Sequence, residues 1–233
     1  MNFILDGLKE GMRLICNLDG EVLAVVKLSL FISIFATLIS VLLGVPLGSM
    51  LALGKFRMKK LLIALVNTGM GLPPVVVGLF VMLFLSRNGP LGFLQWLYTP
   101  VGMILAQVII ATPVIIGLTL AAVQGIDPRL YQQMLALGAS KRQAMFVLLK
   151  EIRLSILAAV IAGFGSIISE VGAVMMVGGN IRGQTRVLTT SIVLETHMGN
   201  FDIAIALGLI LLCLSFTINL ALTYIQQHKV RPL

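Results

Sequence analysis

Charge is what this chain has least of. Only 11% of its 233 residues are Asp, Glu, Lys or Arg, against roughly 25% in soluble domains. With 58% hydrophobic residues and a mean hydropathy of +1.06, no water-facing surface can be built, which excludes a soluble globular domain. Cysteine is scarcer still. Cys16 and Cys213 are too few for a disulfide framework; one lies in a polar N-terminal segment and the other in an apolar run, and both read as unpaired packing residues. His197 and His228 have no ligand company, so no metal site is expected. There is no Gly-x-x-x-x-Gly-Lys-Ser/Thr loop to cradle ATP phosphates, no His-Glu-x-x-His and no Gly-x-Ser-x-Gly. Glu170 lies in apolar sequence with no second catalytic group in evidence, which argues against an intramembrane enzyme. The start does not read as a signal peptide either, because Asp6 and Glu10 stand where a positive region should lead into apolar sequence.

What the chain does have is long apolar runs. Five approach or exceed the ~20 residues that cross a bilayer, near 25–53, 61–85, 100–123, 154–177 and 201–225. The expected fold class is all-α, a polytopic membrane bundle of about five transmembrane helices. Residues 21–228 form the membrane domain, with 124–153 as a polar loop inside it and 229–233 as a short tail. In residues 1–20, Ile4, Leu8, Met12 and Ile15 recur at helical spacing while Asp6, Lys9, Glu10, Arg13 and Asn17 take other faces. That segment reads as an amphipathic helix, lying in the external interface or packed on the rest of the protein.

Basic residues are distributed unevenly. With five spans, Lys55, Arg57, Lys59 and Lys60 share a side with Arg129, Lys141, Arg142, Lys150, Arg153, Lys229 and Arg231, making 11 of the 17 Lys and Arg. The opposite side holds Lys9, Arg13, Lys27, Arg87, Arg182 and Arg186. The positive-inside rule then places the N-terminus outside and the C-terminus in the cytoplasm. Topology thereby accounts for the net charge of +8, and nucleic acid is not an expected partner. A helix–Gly turn–helix can mimic a DNA-binding motif, but here both of its ends enter the membrane within a few residues.

That turn sits in the polar loop. Asp127-Pro128 is a helix start, a side-chain acceptor followed by a residue with φ already set. Gly138 suits the left-handed position that ends a helix, and Ser140 with Gln143 forms a capping box that starts the next. Two short helices joined at Leu137-Gly138-Ala139 make a handle for a soluble partner.

The apolar runs are interrupted. Gly44-Val45-Pro46-Leu47-Gly48, Thr112-Pro113 and, most sharply, Pro73-Pro74 within 69–78 lack backbone donors, so each is expected to kink or break its helix. Backbone groups freed at membrane depth survive only where protein or a wet cavity satisfies them. Gly71, Pro73 and Pro74 therefore read either as lining of a translocation path or as a structural kink; Pro46 and Pro113 read as kinks. Ser169 and Glu170 join the candidate path, because a carboxylate in hydrocarbon costs at least ~2.5 kcal/mol and faces a bundle interior or cavity. Glu170 is either functional or a packing element whose partner is an Arg, a freed amide or a hydroxyl. Arg182 and Arg186, beside glycines in a turn-rich external loop, either steer an oxyanion or dock a binding protein, or are solvated near headgroups.

These stretches carry a resemblance. The polar loop resembles the cytoplasmic loop of ABC importer permeases, which runs Glu-Ala-Ala, three residues, Gly, and later Ile-x-Leu-Pro. Leu137-Gly138-Ala139-Ser140 matches; Gln132-Gln133-Met134 stands where Glu-Ala-Ala would be, and Lys150-Glu151 where Leu-Pro would be. Gly44-Val45-Pro46-Leu47-Gly48 is similar to the end of the first core helix of these permeases. Ile168-Ser169-Glu170-Val171-Gly172-Ala173 resembles the molybdate and sulfate group, and the stretches 71–78 and 170–180 look most like its tungstate-type permeases. The resemblance implies a type I importer permease working as a homodimer. Two cytoplasmic ABC ATPase subunits would carry ATP and Mg and contact Gln132, Gln133, Leu137, Gly138, Ala139, Ser140 and Lys141. An external binding protein would deliver the oxyanion, tungstate first and molybdate, sulfate or another small solute as the alternative, and no cofactor would bind this chain. A self-sufficient secondary carrier would instead need ion-coupling residues and often internal repeats, neither of which is visible.

Overall fold

The computed structural model describes residues 20–54 and 57–228. The amphipathic segment expected over 1–20, save Gly20, and the tail 229–233 lie outside the described residues, as does Lys55. All regular elements among the described residues are helical. In order they are α1 (Gly20–Leu53), α2 (Lys59–Met70), α3 (Pro74–Leu85), a 3-10 turn (Gly92–Leu94), α4 (Pro100–Gln124), α5 (Pro128–Ala136), α6 (Lys141–Glu151), α7 (Arg153–Ile168), α8 (Gly172–Gly178), α9 (Leu188–His197) and α10 (Phe201–His228).

Among the described residues three helices, α1, α4 and α10, are long and apolar enough to cross a bilayer unaided. The other two expected spans are not single rods. α2 and α3 meet at 100°, and α7 and α8 at 57°, so five spans result only if each bent pair counts as one. The first bend is the one that Pro73-Pro74 foreshadowed. The second, at Ser169–Val171, has no proline and was not anticipated. Conversely, α1 runs through Pro46 and α4 through Pro113 with no interruption of the helix. One missing donor is tolerated when neighbouring helices pack tightly around it.

α4 is the centre of the bundle and packs against α1, α7, α2, α8 and α3. The α1 face turned inward is built from small residues at helical spacing: Ser29, Ser33, Ala36, Thr37, Ser40, Gly44 and Gly48 are all buried. A Cβ at Gly48 would stand 2.7 Å from the carbonyl oxygen of Ile116, so the two backbones are in contact there. The outward face is apolar, with Phe31, Phe35, Leu38 and Leu42 on α1 and Leu212, Phe216 and Leu220 on α10 all exposed. That is the inside-out surface a bilayer requires.

Candidate functional site

Three places bring the candidate residues together. The first is the α5–α6 turn. Asp127 Oδ1 accepts the Arg129 amide at 2.9 Å, and Pro128 begins α5. At the other end Gly138 takes φ +87°. The Gly138 amide donates to the Leu135 carbonyl at 3.1 Å and the Ala139 amide to the Met134 carbonyl at 3.0 Å, the paired closure of a Schellman turn. Ser140 and Gln143 then cap α6 reciprocally, at 2.8 and 3.3 Å. Local sequence thus builds a stiff corner that shows apolar groups to solvent: Leu137 is 88% exposed and Phe146 71%. Gln132, Gln133 and Lys141 are exposed around it, and Ala139 is half-buried. A Cβ at Gly138 would meet nothing within 4 Å, so space within the chain does not demand glycine; backbone geometry does.

The second place is the pair of breaks. Pro73 is extended, and its carbonyl accepts the Val76 and Val77 amides at 3.0 and 3.3 Å. α3 starts from there and lies against α8 so closely that a Cβ at Gly78 would stand 2.5 Å from Ala173 Cα, and one at Gly172 2.7 Å from Val75 Cγ2. Val77, Val81, Leu85, Ala106, Ala173 and Val177 form the core between them. The breaks at Pro73-Pro74 and Ser169-Glu170 are therefore neighbours. Gly71 and Pro73 are exposed and Pro74 half-buried. Glu170 does not sit inside a continuous helix, as the apolar run implied. Its Oε1 accepts the Ala173 amide at 2.9 Å and so satisfies an orphan donor in the first turn of α8. Its carbonyl accepts Thr189 Oγ1 at 3.0 Å. The freed amide among the sequence alternatives is thus its partner. Ser169 is exposed and donates back to the Gly165 carbonyl at 2.8 Å.

Sequence reasoning missed Gln107, Ser29, Ser33 and Thr189, which line a chamber of about 10 Å³ with Glu170, about one water site. Gln107 Nε2 donates to the Ile167 carbonyl at 3.3 Å, bracing α7 where it stops. The signal was present in the repeated small polar residues of α1 and in a lone glutamine inside an apolar helix.

The third place is the turn before α9. Arg182 Nε donates to Glu21 Oε1 at 2.7 Å and its Nη2 to Glu21 Oε2. The hydrogen bond to Glu21, and then its charge, raise the Arg182 pKa above its ordinary value. Arg186 Nη1 lies 3.9 Å from Glu21 Oε1. The turn itself is anchored: Thr185 is fully buried, donates to the Gly178 carbonyl at 2.6 Å and accepts the Ile181 amide at 3.0 Å. The two arginines are thus organised around the first turn of α1.

Similarity to known proteins agrees with this architecture. The chain is 41% identical to a tungstate uptake system permease of Peptoclostridium acidaminophilum, across 98% of this chain and all of that one. It is 33% identical to the tungstate uptake permease of Campylobacter jejuni, across 94% and 92% of the two chains. Its fold is that of an inward-facing methionine ABC transporter structure, with a TM-score of 0.76 at 18% identity over 92% of this chain and 99% of that one. Residues 44–231 match the model of the binding-protein-dependent transport system inner membrane component, and the chain belongs to that family.

Proposed function

We propose that this chain is the tungstate-translocating permease of an ABC importer. It is a multi-pass inner-membrane protein and a transport component, not an enzyme. The observation that carries the substrate is the 41% identity extending over the whole of a tungstate uptake permease. Two copies of the chain would enclose the path, with an external binding protein delivering the oxyanion. The N-terminus lies outside and the C-terminus in the cytoplasm.

The helix–Gly138–helix corner is the seat of the cytoplasmic ATPase, which holds ATP and Mg on its own residues. Leu137 and Phe146 supply the apolar contact and Gln132, Gln133, Ala139, Ser140 and Lys141 the surround. The neighbouring breaks at Gly71, Pro73 and Pro74 and at Ser169 and Glu170 line the path. Each state of the cycle must be favoured by a different ligand of the ATPase, since a ligand shifts an equilibrium only by its differential affinity.

The test is uptake by a strain lacking the gene, complemented with it, with labelled tungstate competed by molybdate and sulfate. Tungstate uptake resistant to excess sulfate and molybdate is the expected result. Preferred uptake of either competitor would reassign the substrate, and uptake persisting without any ATPase would return the chain to the carrier class.

A further inference from the structure

The Arg186 side chain is four-fifths buried, with 20% of it exposed, yet its Nε is buried without a hydrogen-bond partner. Its contact with a described residue is the 3.9 Å approach to Glu21 Oε1, the outer limit of an ion pair. Arg182 meanwhile occupies both oxygens of that carboxylate. Two guanidinium groups are thus gathered on one carboxylate, and the more buried of them is the one left short of acceptors. Buried donors without acceptors are costly, charged ones most of all. Beside them is a cleft of about 400 Å³ lined by Glu21, Ala24, Leu28, Arg182, Gln184 and Arg186, and the exposed side chains of Arg182 and Gln184 open it to solvent.

We propose that Arg186, with Arg182 and Gln184, forms an anion-binding site for a tetrahedral oxyanion, and that Glu21 is the built-in competitor that occupies it between arrivals. This rests on the tungstate reading and on the external placement of the 181–187 turn. A free oxyanion supplies what Arg186 lacks: several acceptor oxygens around one centre, matched to a planar fork of donors. It also takes Glu21's place, and in doing so unties the first turn of α1 from the turn before α9. Charge decides the exchange. A dianion meets a net positive cluster, whereas a neutral solute gains nothing over Glu21. A lipid phosphate offers the same acceptor chemistry and is the competing source.

The experiment is equilibrium dialysis of labelled tungstate against the purified complete transporter, in phosphate-free nonionic detergent and without binding protein. Saturable binding is expected for the wild type. Glu21→Gln removes the competitor and should tighten binding on the order of tenfold, about 1.4 kcal/mol. Arg186→Gln should abolish it, and Arg186→Lys, which keeps the charge but not the fork, should not restore it. All variants must elute as the intact complex, which controls for folding. Unchanged binding in Arg186→Gln, or weaker binding in Glu21→Gln, would overturn the site while leaving tungstate transport standing. Binding of molybdate or sulfate but not tungstate, lost in Arg186→Gln, would keep the site and remove the tungstate reading. Native mass spectrometry showing phosphatidylglycerol held by the wild type and lost in Arg186→Gln, with no free oxyanion bound, would assign the cluster to lipid and overturn the proposal.

Discussion

A single side chain can serve geometry or chemistry, and substitution separates the two. Glu170 accepts an amide in the first turn of α8. Glu170→Ala deletes that acceptor, and loss of a helix-start acceptor costs about 0.5–2 kcal/mol, read as a lower melting temperature of the solubilised protein. Glu170→Gln keeps an oxygen acceptor and should retain most of that stability. If the Gln variant is stable and transports normally, the carboxylate charge has no part in the path; if it is stable and inactive, it does. Gly138 separates differently. Open space surrounds it, so Gly138→Ala bears only the left-handed backbone penalty of roughly 1–2 kcal/mol. Gly138→Asp adds bulk and charge at a corner that crowds nothing in its own chain. We expect Gly138→Asp to insert in the membrane yet lose ATPase on co-purification, with uptake lost in parallel. Retained ATPase with full uptake would remove the corner as the coupling element.

Among elements, the joint between α3 and α8 is the most demanding. Gly78→Ala places a methyl 2.5 Å from Ala173 Cα, where a backbone must move and overpacking costs about 1–3 kcal/mol. A variant as stable as the wild type by thermal unfolding in detergent would contradict that contact. The two breaks also show what the sequence made legible. Pro73-Pro74 announces its bend because proline removes donors locally, and the Asp127, Gly138 and Ser140-Gln143 signals are equally local, so each was readable in order along the chain. The bend at Ser169–Val171 is not local. It is held by Gln107 on the Ile167 carbonyl, Thr189 on the Glu170 carbonyl and Val75 against Gly172, partners 60, 19 and roughly a hundred positions away. At Pro46 and Pro113 the helices continue rather than break, with α1 and α4 packed against each other. The pairing of Arg182 with Glu21 spans 161 positions, which is why neither sequence reading of those arginines, gate or docking site or solvated loop, named Glu21 as a partner.

The whole molecule has a direction that labelling can establish. On the proposed topology, which puts the polar α5–α6 corner inside and the turn before α9 outside, a cysteine at Lys141 should react with an impermeant maleimide only in inverted vesicles, and one at Gly183 only in intact cells, each in a background without Cys16 and Cys213. The reverse pattern would invert the topology that the basic residues indicate.

One helix touches both of those surfaces. α1 has 34 residues, about 51 Å at 1.5 Å per residue, well beyond the ~30 Å of hydrocarbon. Its first turn carries Glu21, gripped by Arg182. Its last turns place Ser49, Met50 and Leu53 in a groove of about 1000 Å³ shared with Tyr131, Leu135 and Lys141 of the α5–α6 corner. Such a rod is a lever. Rocking it by about 5° would sweep its far end through roughly 4 Å, so on the exchange proposed at Glu21, release of the grip would displace a wall of that groove. Pro46, with no amide to give to the turn before it, lies in the lining of that same groove.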